Sequence, residues 1–473
     1  MSDFPAPGSH IHLIAVCGVG MASLAGLLQS RGYRVTGSDQ NVYPPMSTYL
    51  EEIGIDVVAG FHADHLVPRP DLVVVGNAVS RTNPEAQAVL AQHIPHVSFP
   101  QALGEFLIGA RKALVVAGTH GKTTTTALAA WVFKCAGLDP GFFVGGVPVN
   151  LASGWNIGAG DHVVIEGDEY DTAFFDKGPK FLHYRPGNVI LTSVEFDHAD
   201  IYRDLAHVKR AFLRLMEIIP PDGSLVFCGD YPIAGEIAAA ARCRRVSYGD
   251  GSGNDWSAVN LEFLPGRTFF EPCYGGKSDG RIEVGLIGRH NVKNALAVYA
   301  LSRAMGIERA NLLDGFASFR GVKRRQEIRG ERRGVLVMDD FAHHPTAVRD
   351  TIEAVRSAYS GRRLWAIFEP RSNTSKRNIF EKEFAAALGL ADRIVVASVY
   401  QPEKIADSER LSVHNVVTEI NRQGGGDRAR NLANAEAIAA AIGREALAGD
   451  LVLVMSNGGF DNVQEKILQA LAR

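Results

Sequence analysis

Short apolar runs recur along the chain, each closed by glycine or by polar residues. Residues 11–16, 113–117, 335–338, 364–368, 393–397 and 451–454 are such runs. Others lead the segments 33–39, 71–80, 161–171 and 189–198 into polar or acidic ends. Continuous apolar runs without alternation fit strands covered on both faces, as in parallel sheets. Stretches between them, at 22–30, 123–135, 295–305 and after 346, fit helices. Strand and helix in alternation predict an α/β fold.

Two breaks divide the pattern. One lies at 105–112, where Arg111 and Lys112 precede an apolar strand, and the other is a basic hinge at 321–325. The expected organisation is three domains, 1–108, 109–320 and 321–473. The first reads as Rossmann-like, the second as a P-loop ATPase-like parallel sheet and the third as Rossmann-like again. A length of 473 residues agrees, at ~150 residues per domain. Residues 1–9 read as a loose polar tail and 249–283 as a small irregular β-insert.

Composition narrows the class. Apolar residues make up 46% of the chain and charged residues 21%, enough for a sizeable core. The 49 Lys and Arg against 52 Asp and Glu leave a net charge of -3, with no sign of a nucleic-acid or anionic-lipid surface. The cysteines Cys17, Cys135, Cys228, Cys243 and Cys273 form no CxxC pair and read as reduced thiols. No run approaches the ~18 apolar residues of a membrane span. The first residues lack a charged-then-apolar leader. The expectation is a cytoplasmic enzyme acting on small molecules, without nucleic acid, membrane or an obligate protein partner.

The candidate chemistry centres on Gly118-Thr119-His120-Gly121-Lys122-Thr123-Thr124-Thr125-Thr126. Strand, glycine loop and helix is the layout of a phosphate cradle. The glycines let several N–H groups face one space, and the helix N-terminus adds a positive dipole. Lys122 reaches toward terminal phosphates, and the Thr123 hydroxyl is placed for Mg²⁺. Val116 stands where the longer form of the motif has glycine. A second glycine turn, Gly18-Val19-Gly20-Met21, follows the first strand. Asp39 comes 21 residues after Gly18, near the ~20 of a ribose-binding acid, although Ser23 replaces the third glycine of a dinucleotide fingerprint. Asn77 and Ser80 close a strand whose end is suited to a ligand crevice. Glu166, Asp168 and Asp171 end one strand, and Glu195, Asp197 and His198 end another. Both strands are expected to flank the loop strand in parallel and to bring carboxylates and imidazole to the phosphates. A nicotinamide oxidoreductase built on 11–39 would leave the 118–126 loop without a task. A silent sugar-nucleotide binder would have no use for Lys122, Thr123 and Glu166.

The string Gly-Thr-His-Gly-Lys-Thr at 118–123 resembles the ATP loop of the Mur ligase family. Further segments match that family in order. They are the N-terminal glycine turn, the acidic end at 166–171, Glu195-Phe196-Asp197-His198, His290-Asn291 with Arg325, and Asp339-Asp340 with His343-His344. The match spans nearly the whole chain. It implies a UDP-sugar domain, an ATP domain and an amino-substrate domain, and an ATP-dependent ligase of peptidoglycan metabolism. The chain is similar to the branch that acts on UDP-N-acetylmuramate. Strings at 43–48, 174–181, 369–374 and 456–460, with Phe341-Ala342, resemble the members that attach the recycled tripeptide L-alanyl-γ-D-glutamyl-meso-diaminopimelate in one step. Addition of free L-alanine is the alternative activity.

The resemblance implies roles residue by residue. Gly118, Thr119, His120, Gly121, Lys122, Thr123 and Thr124 would hold ATP phosphates, with Asn291 at adenine, Arg325 at a phosphate and Asp340 at ribose. Thr123 and Glu166 would hold Mg²⁺, and His198 a second ion. Lys122, His198, His343 and His344 are the catalytic candidates, one of the last two helping to deprotonate the attacking amine. Gly18, Val19, Gly20, Met21, Ser38, Asp39, Asn77 and Ser80 fall to the sugar nucleotide. Arg371, Asn373, Ser456 and Asn457 fall to the peptide, since Arg matches carboxylate geometry bidentately. The carbamylated lysine of other branches falls, in rough register, on Phe212, with Lys209 and Arg210 nearby.

Overall fold

The computed structural model describes residues 4–43 and 46–472. Met1, Ser2 and Asp3 of the expected tail, Pro44 and Pro45 of the 43–48 string, and Arg473 lie outside them. The chain forms two compact bodies. The first runs to Val194 and adds Ala206–Tyr248 and Ala297–Gly315. The second takes Glu195–Leu205, Gly249–Leu296 and the chain from Phe316 on.

The first body opens with a five-stranded parallel sheet in the order Asp56–Ala59, Arg34–Asp39, His10–Ile14, Leu72–Val75, His96–Ser98. Ile11, Leu13, Ile14 and all of Leu72–Val75 are buried, which is why these runs show no alternation. The first strand stops at Ile14, short of the expected end at 16, because Ala15 turns to φ 66. The following helix begins at Val19, not near Ala22, with Gly18 as its extended N-cap. Val19, Gly20 and Met21 therefore form the helix N-terminus, where backbone N–H groups have no helical partner.

In the same body the Lys112–Ala117 strand lies between Pro186–Leu191 and His162–Gly167, parallel to both as expected. Ser224–Cys228 and Gly141–Phe143 extend the sheet on either side. The carboxyl ends of these strands share an edge with the loop at 118, where open α/β sheets place ligands. The acidic run after Gly167 is not a solvated turn. Its Asp171–Ala173 segment pairs antiparallel with Asp176–Pro179. Phe212, at the family's carbamylated-lysine position, is fully buried in the Leu205–Ile218 helix, its ring 5.8 Å from that of Phe181.

The second body holds a six-stranded sheet in the order Glu327–Arg332, Val335–Asp340, Leu451–Met455, Leu364–Phe368, Arg393–Ala397, Ala429–Leu432. The first of these is an antiparallel edge strand, and the rest are parallel. Asp339 and Asp340 lie within their strand rather than after it. The 249–283 insert is more regular than expected, with Trp256–Leu264, Arg267–Tyr274 and Ile282–Val284 forming an antiparallel meander. The helix that the 288–294 segment is expected to open runs over Arg289–Ala304, so Asn291 falls in its first turn.

Candidate active site

The nucleotide loop is pinned against its neighbouring strand end. Gly118 has φ 131, and a Cβ there would fall 2.2 Å from Thr192 Oγ1, so only glycine fits. Thr119 N–H donates to Ser193 O at 2.8 Å, and His120 N–H to Ser193 Oγ at 3.1 Å. Thr192 Oγ1 donates to His120 O at 2.5 Å. Gly121, at φ 80, then caps the Lys122–Cys135 helix, whose first turns bury Thr123, Thr124, Thr125 and Thr126. This fixes a ring of backbone groups at a helix N-terminus, the arrangement that binds phosphate.

Lys122 Nζ donates to Gly118 O at 2.6 Å and pairs with Glu169 at 2.9 Å. Burial pulls its pKa down, but Glu169, Asp168 and Glu166 outweigh that and hold it above the ordinary lysine value. It is a fully charged ammonium. Thr123 Oγ1 donates to Glu166 Oε2 at 3.1 Å, while Glu166 Oε1 accepts Gly145 N–H at 2.6 Å. A hydroxyl and a carboxylate side by side are hard oxygen donors, which suit Mg²⁺ and leave its other positions to water and phosphate. The Thr123–Glu166 pair therefore fits the expected ion. Asp168 pairs with Lys180 at 3.0 Å. Burial raises the Asp168 pKa, but Lys180 and Lys122 bring it below the usual carboxylate value.

A separate cavity of about 840 Å³ opens in the first body beside the Val19–Ser30 helix N-terminus. Gly18, Val19, Gly20, Met21, Asp39, Asn77 and Ser80 line it. Asp39 clamps the turn, its oxygens accepting Cys17 N–H at 2.9 Å and Asn41 N–H at 2.8 Å. Burial and Asp39 push the Cys17 thiol up to about 11, so it is no nucleophile. Ser38 does not line the cavity. It is fully buried and donates to Glu85, which also holds His65 at 2.5 Å. Sequence reasoning missed Lys180, the one cation among the described lining residues, whose ammonium sits 4.1 Å from the Tyr170 ring.

The second body gathers the remaining candidates in two places. Around the 324–326 turn, Asp340 accepts Gln326 N–H at 2.8 Å and Ala342 N–H at 2.7 Å. Asn291 Nδ2 donates to Gln326 Oε1 at 3.1 Å, and Arg325 stacks 4.7 Å over Phe341. Asn291, Arg325 and Asp340 are thus joined through Gln326, a residue that no motif marks. The other place is a polar cavity of about 430 Å³ lined by Asp197, His198, His343, Arg371, Asn373 and Asn457, among others. Asp197 accepts Thr374 Oγ1 and His198 N–H, each at 2.7 Å, and lies 3.9 Å from His343 Nε2. Burial raises the Asp197 pKa, but His343, His198 and His344 together hold it well below the usual carboxylate range. Ser456 lies outside this lining, fully buried, and donates to Glu369 at 2.5 Å. His344 has both ring nitrogens engaged: Nδ1 accepts Thr346 N–H at 3.3 Å, and Nε2 donates to Phe196 O at 3.3 Å.

Three family descriptions tile the chain: Mur ligase family catalytic domain over 10–111, Mur ligase middle domain over 116–302, and Mur ligase glutamate ligase domain over 324–458. The chain belongs to the Mur ligase family, and like that family is an ATP-dependent ligase that forms a C–N bond. An Escherichia coli protein, UDP-N-acetylmuramate–L-alanyl-γ-D-glutamyl-meso-2,6-diaminoheptandioate ligase, is 40% identical over 98% of both chains. A UDP-N-acetylmuramate–L-alanine ligase from Endomicrobium trichonymphae is 34% identical over 83% of this chain and 84% of its own. The crystal structure of a murein peptide ligase from Psychrobacter arcticus matches with a TM-score of 0.71 and 35% identity, covering 98% of this chain and 99% of that one.

Proposed function

We propose that this protein joins UDP-N-acetylmuramate to L-alanyl-γ-D-glutamyl-meso-diaminopimelate at the expense of ATP, in the cytoplasm, as a step of peptidoglycan recycling. The observation that carries the reading is the Lys122, Thr123 and Glu166 arrangement at the glycine loop, a cradle equipped for a metal-bound triphosphate. The Escherichia coli relative, similar over nearly its full length, supports the choice of acceptor. Among the described residues no helix is long and apolar enough to cross a membrane. We divide the chain functionally into 1–108 for the sugar nucleotide, 109–320 for ATP and 321–473 for the peptide and for ATP contacts.

A carboxylate resists attack because its oxygen is a poor leaving group. The γ-phosphoryl of ATP passes to the lactyl carboxylate and makes an acyl phosphate. The free amine of the peptide's alanine attacks that carbonyl, giving an amide, ADP and phosphate. Lys122 holds its charge against the migrating phosphoryl group. Thr123 and Glu166 would hold Mg²⁺, which would supply further charge neutralisation. The Gly18–Met21 turn takes the UDP diphosphate through its N–H groups. His343, which faces Asp197, is the better of the two adjacent histidines to receive the amine proton, because His344 already uses both nitrogens. His198 is the candidate for a second ion.

The deciding experiment offers L-alanine and the tripeptide separately, with UDP-N-acetylmuramate, ATP and Mg²⁺, and measures phosphate release. Preference for the tripeptide is expected. Preference for L-alanine would move the protein to the sibling activity. Binding of NADH without binding of ATP would replace the ligase reading altogether.

A further inference from the structure

The polar cavity of the second body contains a charge that the protein itself does not answer. Lys376 lines it and is only 6% exposed. Among the described residues its ammonium has neither a hydrogen-bond acceptor nor an ion-pair partner. Burial, then Lys404 and Arg377, depress its pKa, and Glu403 alone opposes them appreciably. Its ammonium faces the cavity without a protein counter-charge, which leaves it available to an anionic ligand. Asn457 Oδ1, on the same cavity, is buried without a donor.

Arg371, the residue that sequence reasoning selects to grip carboxylates, is already committed. Its guanidinium lies 3.8 Å over the Tyr400 ring and 3.5 Å from Glu369. Lys376 is held in place by other means: its N–H donates to Ser372 O at 3.1 Å, and its carbonyl accepts Leu411 N–H at 2.8 Å. The backbone is fixed while the ammonium is left unpaired. Lys404, a second cation, lines the same cavity.

We propose that Lys376 is the principal anchor for a side carboxylate of the acceptor peptide, with Lys404 as the flanking cation and Asn457 Oδ1 accepting a peptide N–H. This rests on the peptide-ligase reading and deepens it. Free L-alanine carries a single carboxylate, next to its amine. The tripeptide carries carboxylates farther along, on glutamate and on diaminopimelate. A cation reserved for a distant carboxylate therefore selects peptide over amino acid.

The test compares Lys376→Met and Lys376→Arg with the unaltered protein on three acceptors. These are the tripeptide, the dipeptide L-alanyl-γ-D-glutamate, and the tripeptide ending in L-lysine, which lacks the distal carboxylate. Lys376→Met is expected to raise the KM for the tripeptide about tenfold or more, the worth of one charge-assisted bond, and Lys376→Arg to recover part of it. A penalty on all three acceptors assigns the glutamyl carboxylate, a penalty on both tripeptides but not the dipeptide assigns the carboxylate beside the third residue's peptide nitrogen, and a penalty on the diaminopimelyl tripeptide alone assigns its distal carboxylate. Melting of Lys376→Met should be unchanged or raised, since no internal pair is broken. An unchanged KM for every peptide, or a large fall in melting temperature, overturns the proposal while the ligase reading stands. Absence of tripeptide turnover by the unaltered protein overturns that parent reading and this inference with it.

Discussion

Lys122 and Lys376 make a useful contrast. Both are nearly buried, with the Lys122 side chain 11% exposed and Lys376 6% exposed; Lys122 opens the helix after the glycine loop, and Lys376 lines the polar cavity of the second body. Lys122 is provided for at rest by Gly118 O, Thr119 O and Glu169. Lys376 is not. A loop whose cation is already neutralised stays folded when empty, and an arriving phosphate has to compete with Glu169. A pocket whose cation has no protein partner meets its ligand without an internal competitor. On the proposed reading, a satisfied charge sits where ATP turns over, and a charge without a protein partner sits where the acceptor is chosen.

The largest effect tests the satisfied side. Lys122→Met is expected to abolish turnover, by about 10²–10³-fold or more, because the charge opposing the migrating phosphoryl group is gone. It should also lower stability by about 1–3 kcal/mol, since the buried Lys122–Glu169 ion pair is broken. Phosphate release and thermal melting read the two effects. Substantial ATP-dependent ligation by this variant would remove Lys122 from the chemistry. Unchanged melting would show that the Glu169 pair is idle and erase the contrast with Lys376.

The parts of the site that are readable from sequence share a cause. A glycine loop after a continuous apolar strand needs only local geometry, so residues 113–126 and the flanking strands are legible in the order of residues alone. The same holds for Gly18 to Met21, whose helix begins slightly earlier than expected because Gly18 itself serves as N-cap. What is not legible depends on partners distant in sequence. Ser38 turns to Glu85 and Ser456 to Glu369, so neither lines its cavity. Lys180 and Lys376 read as ordinary surface lysines until the fold buries them. A lysine closing the Ser- and Asn-bearing stretch after the apolar run at 364–368 is the available signal for Lys376. Polar strand-end loops are where such signals concentrate.

A smaller effect probes the acidic side of the Lys376 cavity. The Asp197 carboxylate, unlike the ammonium of Lys376, is fully answered by Thr374, the His198 backbone and the nearby imidazoles. Its folded pKa lies below the unfolded carboxylate value of about 3.9. The stability it contributes is therefore complete above that value and is lost as pH falls through the folded one. Asp197→Asn should cost about 1–3 kcal/mol at neutral pH and flatten the fall in melting temperature between about pH 5 and pH 2. An unaltered acid profile would mean that Asp197 is no better satisfied than its cationic neighbour.

The smallest expected effect separates the adjacent histidines. His344 caps the Pro345–Ala358 helix through Nδ1, and its Nε2 proton is spent on Phe196 O. A ring with its lone pair and its proton both in use has nothing left to offer an incoming amine. His344→Ala should then behave as the loss of a helix cap, lowering stability by about 1 kcal/mol. His343 donates through Nδ1 to Phe341 O at 3.0 Å and turns Nε2 toward Asp197. His343→Ala should change the pH profile of kcat, whereas His344→Ala should show itself in melting. If His344→Ala instead shifted the pH profile with melting intact, the capping role would fail, and the proton acceptor would have to be sought at His344.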